Sequence, residues 1–220
     1  MNDAQNPAAS RTRFKSGQWL LLVLSLILAG CALPNQPAQA VVYDFGPAPV
    51  PRAAPGEIKP MPALMLEVLE TNSALDSTAV LYRLAYVDQQ QIRPYALARW
   101  SMTPAQLLRQ RLRQQLSQRH ALLNPGDSIE AGAGTPVLLQ LELEEFSQYF
   151  ESADHSSGLL HLRATLSRPG PRGATWLAQR SLLVQREAAT ADAPGGVHAL
   201  TAAADAAAQE LDQWLQSLGQ

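Results

Sequence analysis

Alternation of apolar and polar residues predicts six β-strands in this chain. In the fourth, Val137, Leu139, Leu141 and Leu143 share one face, while Gln140, Glu142 and Glu144 share the other. A two-residue period with one polar face is typical of antiparallel sheets that are solvated on one side. Pro94 cannot donate a ladder hydrogen bond, so its strand should be bulged or at a sheet edge. The six segments are 62–70, 79–86, 91–100, 137–146, 160–166 and 176–186.

A period of three to four residues predicts two helices. Thr103 and Pro104 form a helix start, as N-cap and first helical residue. The first helix carries apolar residues at helical spacing, namely Ala105, Leu108, Leu112 and Leu116. The second spans about 196–218 and is rich in alanine. The order β-β-β-α-β-β-β-α predicts an α+β fold, an antiparallel sheet with both helices packed on one face.

The first thirty residues have the layout of a secretory signal peptide. Three basic residues, Arg11, Arg13 and Lys15, precede an apolar run from Trp19 to Ala29. This run is too short for a membrane-spanning helix, which needs roughly 20 residues. We therefore expect residues 1–30 to be removed after export.

The end of this segment predicts lipid attachment at Cys31. The run Leu28-Ala29-Gly30-Cys31 resembles the lipobox that the lipoprotein signal peptidase cleaves, and acylation of the thiol would anchor the mature chain. Ala38-Gln39-Ala40 also fits an ordinary A-x-A cleavage site, but it lies far from the apolar run. Ala32, rather than Asp, follows the cysteine, which favours the periplasmic face of the outer membrane over the inner membrane.

Residues 31–61 have the composition of a tether. They hold seven prolines among Ala, Gln and Gly, and such segments are extended and semi-rigid. Tyr43-Asp44-Phe45 interrupts the tether and is predicted to form a short strand that docks on the domain. A free tether from Cys31 to Val42 would span at most roughly 35 Å. The remaining residues, 62–220, are predicted to form one α+β domain.

Charge and composition exclude several functions. The chain has 17 basic and 19 acidic residues. Without residues 1–30 it would carry net −4, and nothing in this balance suggests nucleic-acid binding, which needs a basic face. It has a single cysteine and hence no intramolecular disulfide. No phosphate-binding loop and no G-x-S-x-G elbow occur, so the chain is not itself an ATPase.

The histidines and carboxylates predict neither a metal site nor a catalytic pair. No two of the four histidines stand four residues apart, and neighbouring Glu144 and Glu145 should point to opposite faces of a strand. We therefore expect no enzyme, no metal and no cofactor. A hydrolase would need a serine, a histidine and an acid brought together by the fold, and His161 is the candidate to inspect.

Two groups of residues are candidates for contact with a partner. Tyr82, Tyr95 and Trp100 are aromatic residues of the type enriched at interfaces, although in a sheet such residues more often serve packing. The arginines of the first helix could bind phospholipid headgroups or a partner, or could form a solvated helix face. They are Arg109, Arg111, Arg113 and Arg119.

Several motifs in order resemble the ABC-type transport auxiliary lipoproteins. The lipobox is followed by Tyr43-Asp44-Phe45-Gly46-Pro47, by the run from Ser73 to Arg83, and by Tyr95 to Trp100. Thr103-Pro104 then opens a helix, and the chain ends on a helix that contains Trp214-Leu215. The resemblance covers essentially the whole mature chain. Its most specific part runs from Asp76 to Arg83 and then from Tyr95 to Trp100.

The resemblance implies an accessory role in lipid transport between membranes. The partners it implies are an MCE-domain protein with an ABC permease and an ATPase, and it allows a homo-oligomer. Tyr82, Arg83, Tyr95 and Trp100 are the candidate partner contacts. Two alternatives stay open: a stand-alone envelope lipoprotein that binds lipid or stabilises an outer-membrane assembly, and a periplasmic hydrolase.

Overall fold

The computed structural model describes residues 38–47, 61–67, 69–124, 127 and 136–219. Three helices and nine strands occur in this part of the chain. The strands are β1 (Val41–Tyr43), β2 (Met61–Leu66), β3 (Glu70–Thr71), β4 (Ala79–Leu84), β5 (Ile92–Trp100), β6 (His120–Leu123), β7 (Val137–Phe150), β8 (Ser156–Arg168) and β9 (Thr175–Glu187). The helices are α1 (Ala85–Asp88), α2 (Pro104–Leu116) and α3 (Ala193–Ser217).

The long strand β7 organises the sheet. One of its edges pairs antiparallel with β8, which pairs antiparallel with β9. Its other edge is shared by three strands: β2 beside Val137–Leu139, β3 beside Glu142 and Leu143, and β4 beside Gln148–Phe150. The sheet continues from β2 to β6, and from β4 through β5 to β1. On one edge of β7 the sheet therefore divides among three short strands. On the other edge it continues through the antiparallel strands β8 and β9.

The α+β class is confirmed, but the prediction of an antiparallel sheet is wrong. Five of the eight strand pairings are parallel, and only β4 with β5, β7 with β8 and β8 with β9 are antiparallel. Alternation along a strand reports that one sheet face is wet and does not report the direction of the neighbouring strand. Three of the five parallel pairings join β7 to β2, β3 and β4, which all run in the same direction as β7.

A single hydrophobic core lies between the sheet and the helices. The predicted inward residues of β7, namely Val137, Leu139, Leu141 and Leu143, are all at most 3% exposed. Helix α3 contacts β7, β8 and β9, and α2 packs against α3. The apolar face of α2 is buried as predicted, and Thr103 caps the helix in a capping box with Gln106.

Short elements depart from the predicted order. The segment 62–70 breaks into β2 and β3, residues 85–88 form α1 instead of the end of a strand, and β6 follows α2. The predicted irregularity near Pro94 is observed, because the β4–β5 register shifts between Ala79 and Leu81, which stands opposite Pro94. Strand β3, helix α1 and strand β6 span only two to four residues, which is too short for a periodic pattern to define them.

Candidate functional site

Three of the predicted contact residues belong to two aromatic clusters. The rings of Tyr82 and Tyr95 lie 4.6 Å apart, and Tyr82 also contacts Phe150. Trp100 is only 2% exposed, with ring centroids 5.6 Å from Phe45 and 5.8 Å from Phe146. The fold therefore uses Trp100 as core, while Tyr82 and Tyr95 are partly exposed.

Tyr95 is held by a buried polar chain. Its hydroxyl donates to Gln148 Oε1 at 2.8 Å, and Gln148 Nε2 donates to Ser156 Oγ at 2.8 Å. Burial, together with the nearby Tyr82 and Asp192, raises the pKa of the Tyr95 phenol. The hydroxyl therefore stays protonated and serves as a fixed hydrogen-bond donor that joins β5 to β7.

Arg83 folds the loop after α1 back onto the sheet. Its guanidinium pairs with Glu145 at 2.9 Å and donates to the backbone oxygens of Gln89 and Gln90. Both side chains of the ion pair are 19% exposed. These contacts leave Arg83 positioned rather than free, so it shapes the neighbouring surface more than it offers an unpaired charge.

Next to Arg83 lies an exposed apolar pair that was not among the predicted contact residues. Tyr86 is 49% exposed and Val87 is 64% exposed, and both lie on α1. We call Arg83, Tyr86 and Val87 the α1 corner. In the sequence, these are two adjacent apolar residues at the end of a predicted strand. Strict alternation would have buried one of their two side chains, so exposure of both was not expected.

The N-terminal segment docks on the domain edge as predicted, but its strand spans Val41–Tyr43 rather than residues 43–45. Strand β1 pairs in parallel with the end of β5, with Val41 opposite Ala98 and Tyr43 opposite Trp100. Phe45 is 6% exposed and packs in the core. Arg111 then donates to the carbonyl oxygens of Phe45 and Gly46 at 2.5 and 3.2 Å. The chain therefore enters the folded unit at one defined place.

The arginines of α2 are largely engaged within the protein. Arg111 is 5% exposed and pairs with Asp205 of α3 at 3.0 Å. Arg119, just after the helix, pairs with Asp212 at 3.5 Å, and Arg113 donates to Asn124. These contacts account for three of the four predicted arginines without a lipid or partner. Arg109 makes no ion pair with the described residues, and its buried Nε has no hydrogen-bond partner among them.

The polar face of the sheet brings together the serine, histidine and acid that a hydrolase would need. His161 Nε2 lies 2.6 Å from Ser181 Oγ, and His161 Nδ1 lies 2.8 Å from Glu144 Oε2. Arg163 also contacts Glu144 and therefore competes for the carboxylate. Ser181 stands within a regular antiparallel strand opposite Arg163, not on the sharp turn that exposes a nucleophile.

Cavities among the described residues are open and modest in size. One of about 370 Å³ lies between β1 and α3, lined by residues that include Val42, Phe45, Val197 and Thr201. In the same part of the chain no group of metal-binding side chains occurs. No described helix is long and apolar enough to cross a membrane. Cys31, the predicted lipidation site, lies outside the described residues.

Comparison with known proteins identifies one family. The family model described as "ABC-type transport auxiliary lipoprotein component" matches residues 43–212. The match begins at Tyr43, the last residue of β1, and so includes residues 43–46 of the docked N-terminal segment. No curated protein matches the chain.

Two solved structures share the fold. A protein of the DUF330 family from Xanthomonas campestris is 17% identical, with a TM-score of 0.64, over 81% of this chain and 96% of its own. An uncharacterized protein is 13% identical, with a TM-score of 0.58, over 80% of this chain and 99% of its own. At these identities the likeness shows the fold alone.

Proposed function

The chain belongs to the family of ABC-type transport auxiliary lipoprotein components, and from this premise we propose that it is a non-catalytic docking component of an ABC-type lipid transport system. It is held by a lipid on Cys31 at the periplasmic face of the outer membrane. Its proposed partners are an MCE-domain protein and, through that protein, an ABC permease and ATPase.

The observation that carries this proposal is the fixed attachment of the N-terminal segment. The β1–β5 ladder and Arg111 hold residues 41–46 at one edge of the domain. A tether that joins the domain at a fixed point leaves the other surfaces free to meet a partner. The α1 corner is the surface we propose for that contact, because Tyr86 and Val87 are exposed apolar side chains on an ordered element.

Affinity capture from cross-linked membranes tests the proposal. The tagged wild-type protein should bring down an MCE-domain protein with its permease and ATPase. The matched Cys31→Ala protein should leave the membrane fraction. A Cys31→Ala protein that stays on the membrane would contradict lipid anchoring, and an anchored wild type without these partners would contradict the transport role.

A specific observation favours a second candidate, a lipid-binding lipoprotein without transport partners. The open cavity between β1 and α3 has partly apolar walls formed by Val42, Phe45 and Val197. Its volume of about 370 Å³ lies within the range of small-molecule sites. This candidate predicts that lipid can be extracted from the purified wild-type protein and from Leu183→Gln protein, but not from Val197→Gln protein. It also predicts that affinity capture brings down no transport proteins.

The arrangement of Ser181, His161 and Glu144 is the observation on which a hydrolase would rest. We expect it to be a polar cross-strand contact on a wet sheet face. The purified protein should therefore hydrolyse short-chain nitrophenyl esters no faster than buffer, and Ser181→Ala should change nothing. Hydrolysis that disappears in Ser181→Ala would establish an enzyme in place of a docking component.

A further inference from the structure

The hairpin of β8 and β9 is a basic element in an acidic chain. Residues 156–187 contain five arginines and one glutamate, net +4 in a chain of net −2. Arg163 is neutralised by Glu142 and Glu144. The other four arginines make no ion pair with any acidic residue in the described ranges, and all are exposed. They are Arg168, Arg172, Arg180 and Arg186.

Two of these arginines share the end of the hairpin with an exposed tryptophan. We call residues 168–176 the hairpin tip. Trp176 is 66% exposed, whereas Trp100 and Trp214 are 2% and 7% exposed. Residues 170–176 are all exposed. An indole beside arginines in an exposed turn is the composition that proteins use at the surface of a bilayer.

The backbone of the hairpin tip is also restricted by a turn hydrogen bond and two prolines. Gly173 has φ +110° and donates its N–H to the Gly170 oxygen at 3.1 Å. Pro169 and Pro171 restrict the backbone on either side of Gly170. Little conformational entropy therefore remains to be lost on binding, and this favours contact through a small surface.

We infer that the hairpin tip binds the surface of a bilayer that contains anionic phospholipid. The Trp176 indole lies among the headgroups, and the guanidinium groups of Arg168 and Arg172 bind lipid phosphates. The planar fork of an arginine matches two phosphate oxygens, and an anionic surface attracts basic segments that lie within a Debye length.

The small size of the hairpin tip favours a bilayer over a protein as its binding partner. A stable protein interface buries about 800 Å² on each partner, which a turn of this size cannot provide alone. A tethered protein is already held beside a membrane, so a weak contact is enough.

Strand β9 lies five strand spacings, about 24 Å, from β1. A free tether of at most roughly 35 Å is long enough to allow the β9 side to rest on the bilayer. The inference rests on the membrane attachment in the proposed function and not on the transport partners.

Quenching of tryptophan emission by brominated lipid tests the contact directly. The full-length protein is purified from membranes and reconstituted into phosphatidylcholine vesicles with or without phosphatidylglycerol. The phosphatidylcholine is brominated near the headgroup end of its acyl chains. We expect a partial loss of emission in the vesicles that contain phosphatidylglycerol, and none of this loss in Trp176→Phe protein. Added salt should weaken it, because the attraction is electrostatic.

Two arginine pairs on the same hairpin make a matched comparison. Arg168→Gln/Arg172→Gln should abolish the quenching, and Arg180→Gln/Arg186→Gln, outside the tip, should retain it. All four side chains are exposed, so the variants should keep the wild-type circular dichroism spectrum. Unchanged emission in anionic vesicles, or a loss that persists in Trp176→Phe, would overturn the inference. Equal quenching without phosphatidylglycerol would overturn its anionic part.

A third outcome assigns the tip to a protein. If Trp176 becomes shielded from a soluble quencher only when the captured transport proteins are added, the tip is a protein interface and the inference is overturned. Failure of the proposed function is seen separately, because affinity capture can be empty while the vesicle assay is positive.

Discussion

At the scale of single residues, Arg111 shows what a helical pattern can and cannot predict. The sequence places it on the arginine-rich face of α2, where a solvated face, a lipid site and a partner site were all open. In the structure it is buried between α3 and the N-terminal segment, where it binds Asp205 and two backbone carbonyls. Periodicity defines which residues of one helix share a face, but the acid that neutralises Arg111 lies almost a hundred residues away.

Removing Arg111 should weaken the fold most at neutral pH. Burial raises the pKa of Asp205, and Arg111 opposes that rise. Arg111→Met would leave a buried carboxylate without its partner and should cost about 2 kcal/mol of unfolding free energy, less than for a fully buried pair because Asp205 is 26% exposed. Hydrogen exchange in residues 41–46 should also speed up.

The pH dependence of that loss follows from the raised pKa. The favourable contribution of protonated Asp205 is present below its unfolded pKa of 3.8 and is lost as pH rises through the folded value. Urea denaturation should therefore show a larger effect of Arg111→Met at neutral pH than near pH 3.8. Arg113→Met is the control, since Arg113 binds only Asn124 by its side chain among the described contacts. Equal losses from both variants would contradict the assigned role.

The cap of α3 predicts the opposite pH dependence. The Thr190 hydroxyl and then the Gly195 N–H donate to Asp192 and lower its pKa below the usual 3.8. Its stabilisation is therefore present above pH 3.8 and is lost as pH falls through the lowered value. Asp192→Ala should cost about 1 kcal/mol at neutral pH, as measured by urea denaturation. Asp192→Asn keeps an N-cap acceptor but loses the charge, so it should cost less than Asp192→Ala and should not vary with pH in acid. A cost for Asp192→Ala that stays constant into strong acid would refute the charged cap.

At the scale of elements, long regular segments were predictable and short ones were not. The segments that became β7, β8, β9 and α2 were placed correctly because each repeats its period several times. Helix α3 begins at Ala193, earlier than the predicted start at about residue 196, and its first turn contains Gly195 and Gly196. The structure explains the glycines by close packing, since a Cβ on Gly196 would lie 2.0 Å from Gln148 Oε1.

The contact between α3 and β8 gives a prediction at this scale. A Cβ on Gly158 would lie 2.5 Å from backbone atoms of Ala199 and Leu200, which cannot rotate away. Gly158→Ala should therefore push the helix from the sheet and cost about 1–3 kcal/mol. Thermal unfolding measures the loss. Gly170→Ala, in the exposed turn between β8 and β9, is the matched control and should cost less, because its Cβ would lie 3.2 Å from the Gly173 oxygen rather than 2.5 Å from backbone atoms. A stable Gly158→Ala protein would show that α3 does not lie this close to β8.

At the scale of the whole molecule, the sheet topology decides where function can lie. The sequence predicted the class and the single wet sheet face, but strand neighbours depend on contacts between distant segments, and these leave no local signal. Because β5 pairs antiparallel with β4, the chain must reverse between them, and it does so through Ala85–Asp88. This turn is α1, and the topology itself therefore creates the exposed α1 corner. Of the predicted contact residues, Tyr82, Arg83 and Tyr95 lie in the strands that support it.

The role of the α1 corner can be separated from anchoring and folding. Tyr86→Ser/Val87→Ser removes two exposed apolar side chains that make no core contact, so stability and membrane attachment should be unchanged. If these side chains are hot spots of the partner interface, each costs about 1–2 kcal/mol on truncation, and recovery of the MCE-domain protein should fall roughly tenfold or more. Leu183→Ser is the matched control, because Leu183 is 67% exposed on β9, at the far edge of the sheet. Full recovery of the MCE-domain protein with the double variant would show that the contact does not lie at the α1 corner. Loss with Leu183→Ser instead would place it on the β9 side, where it would compete with the bilayer for the same face of the domain.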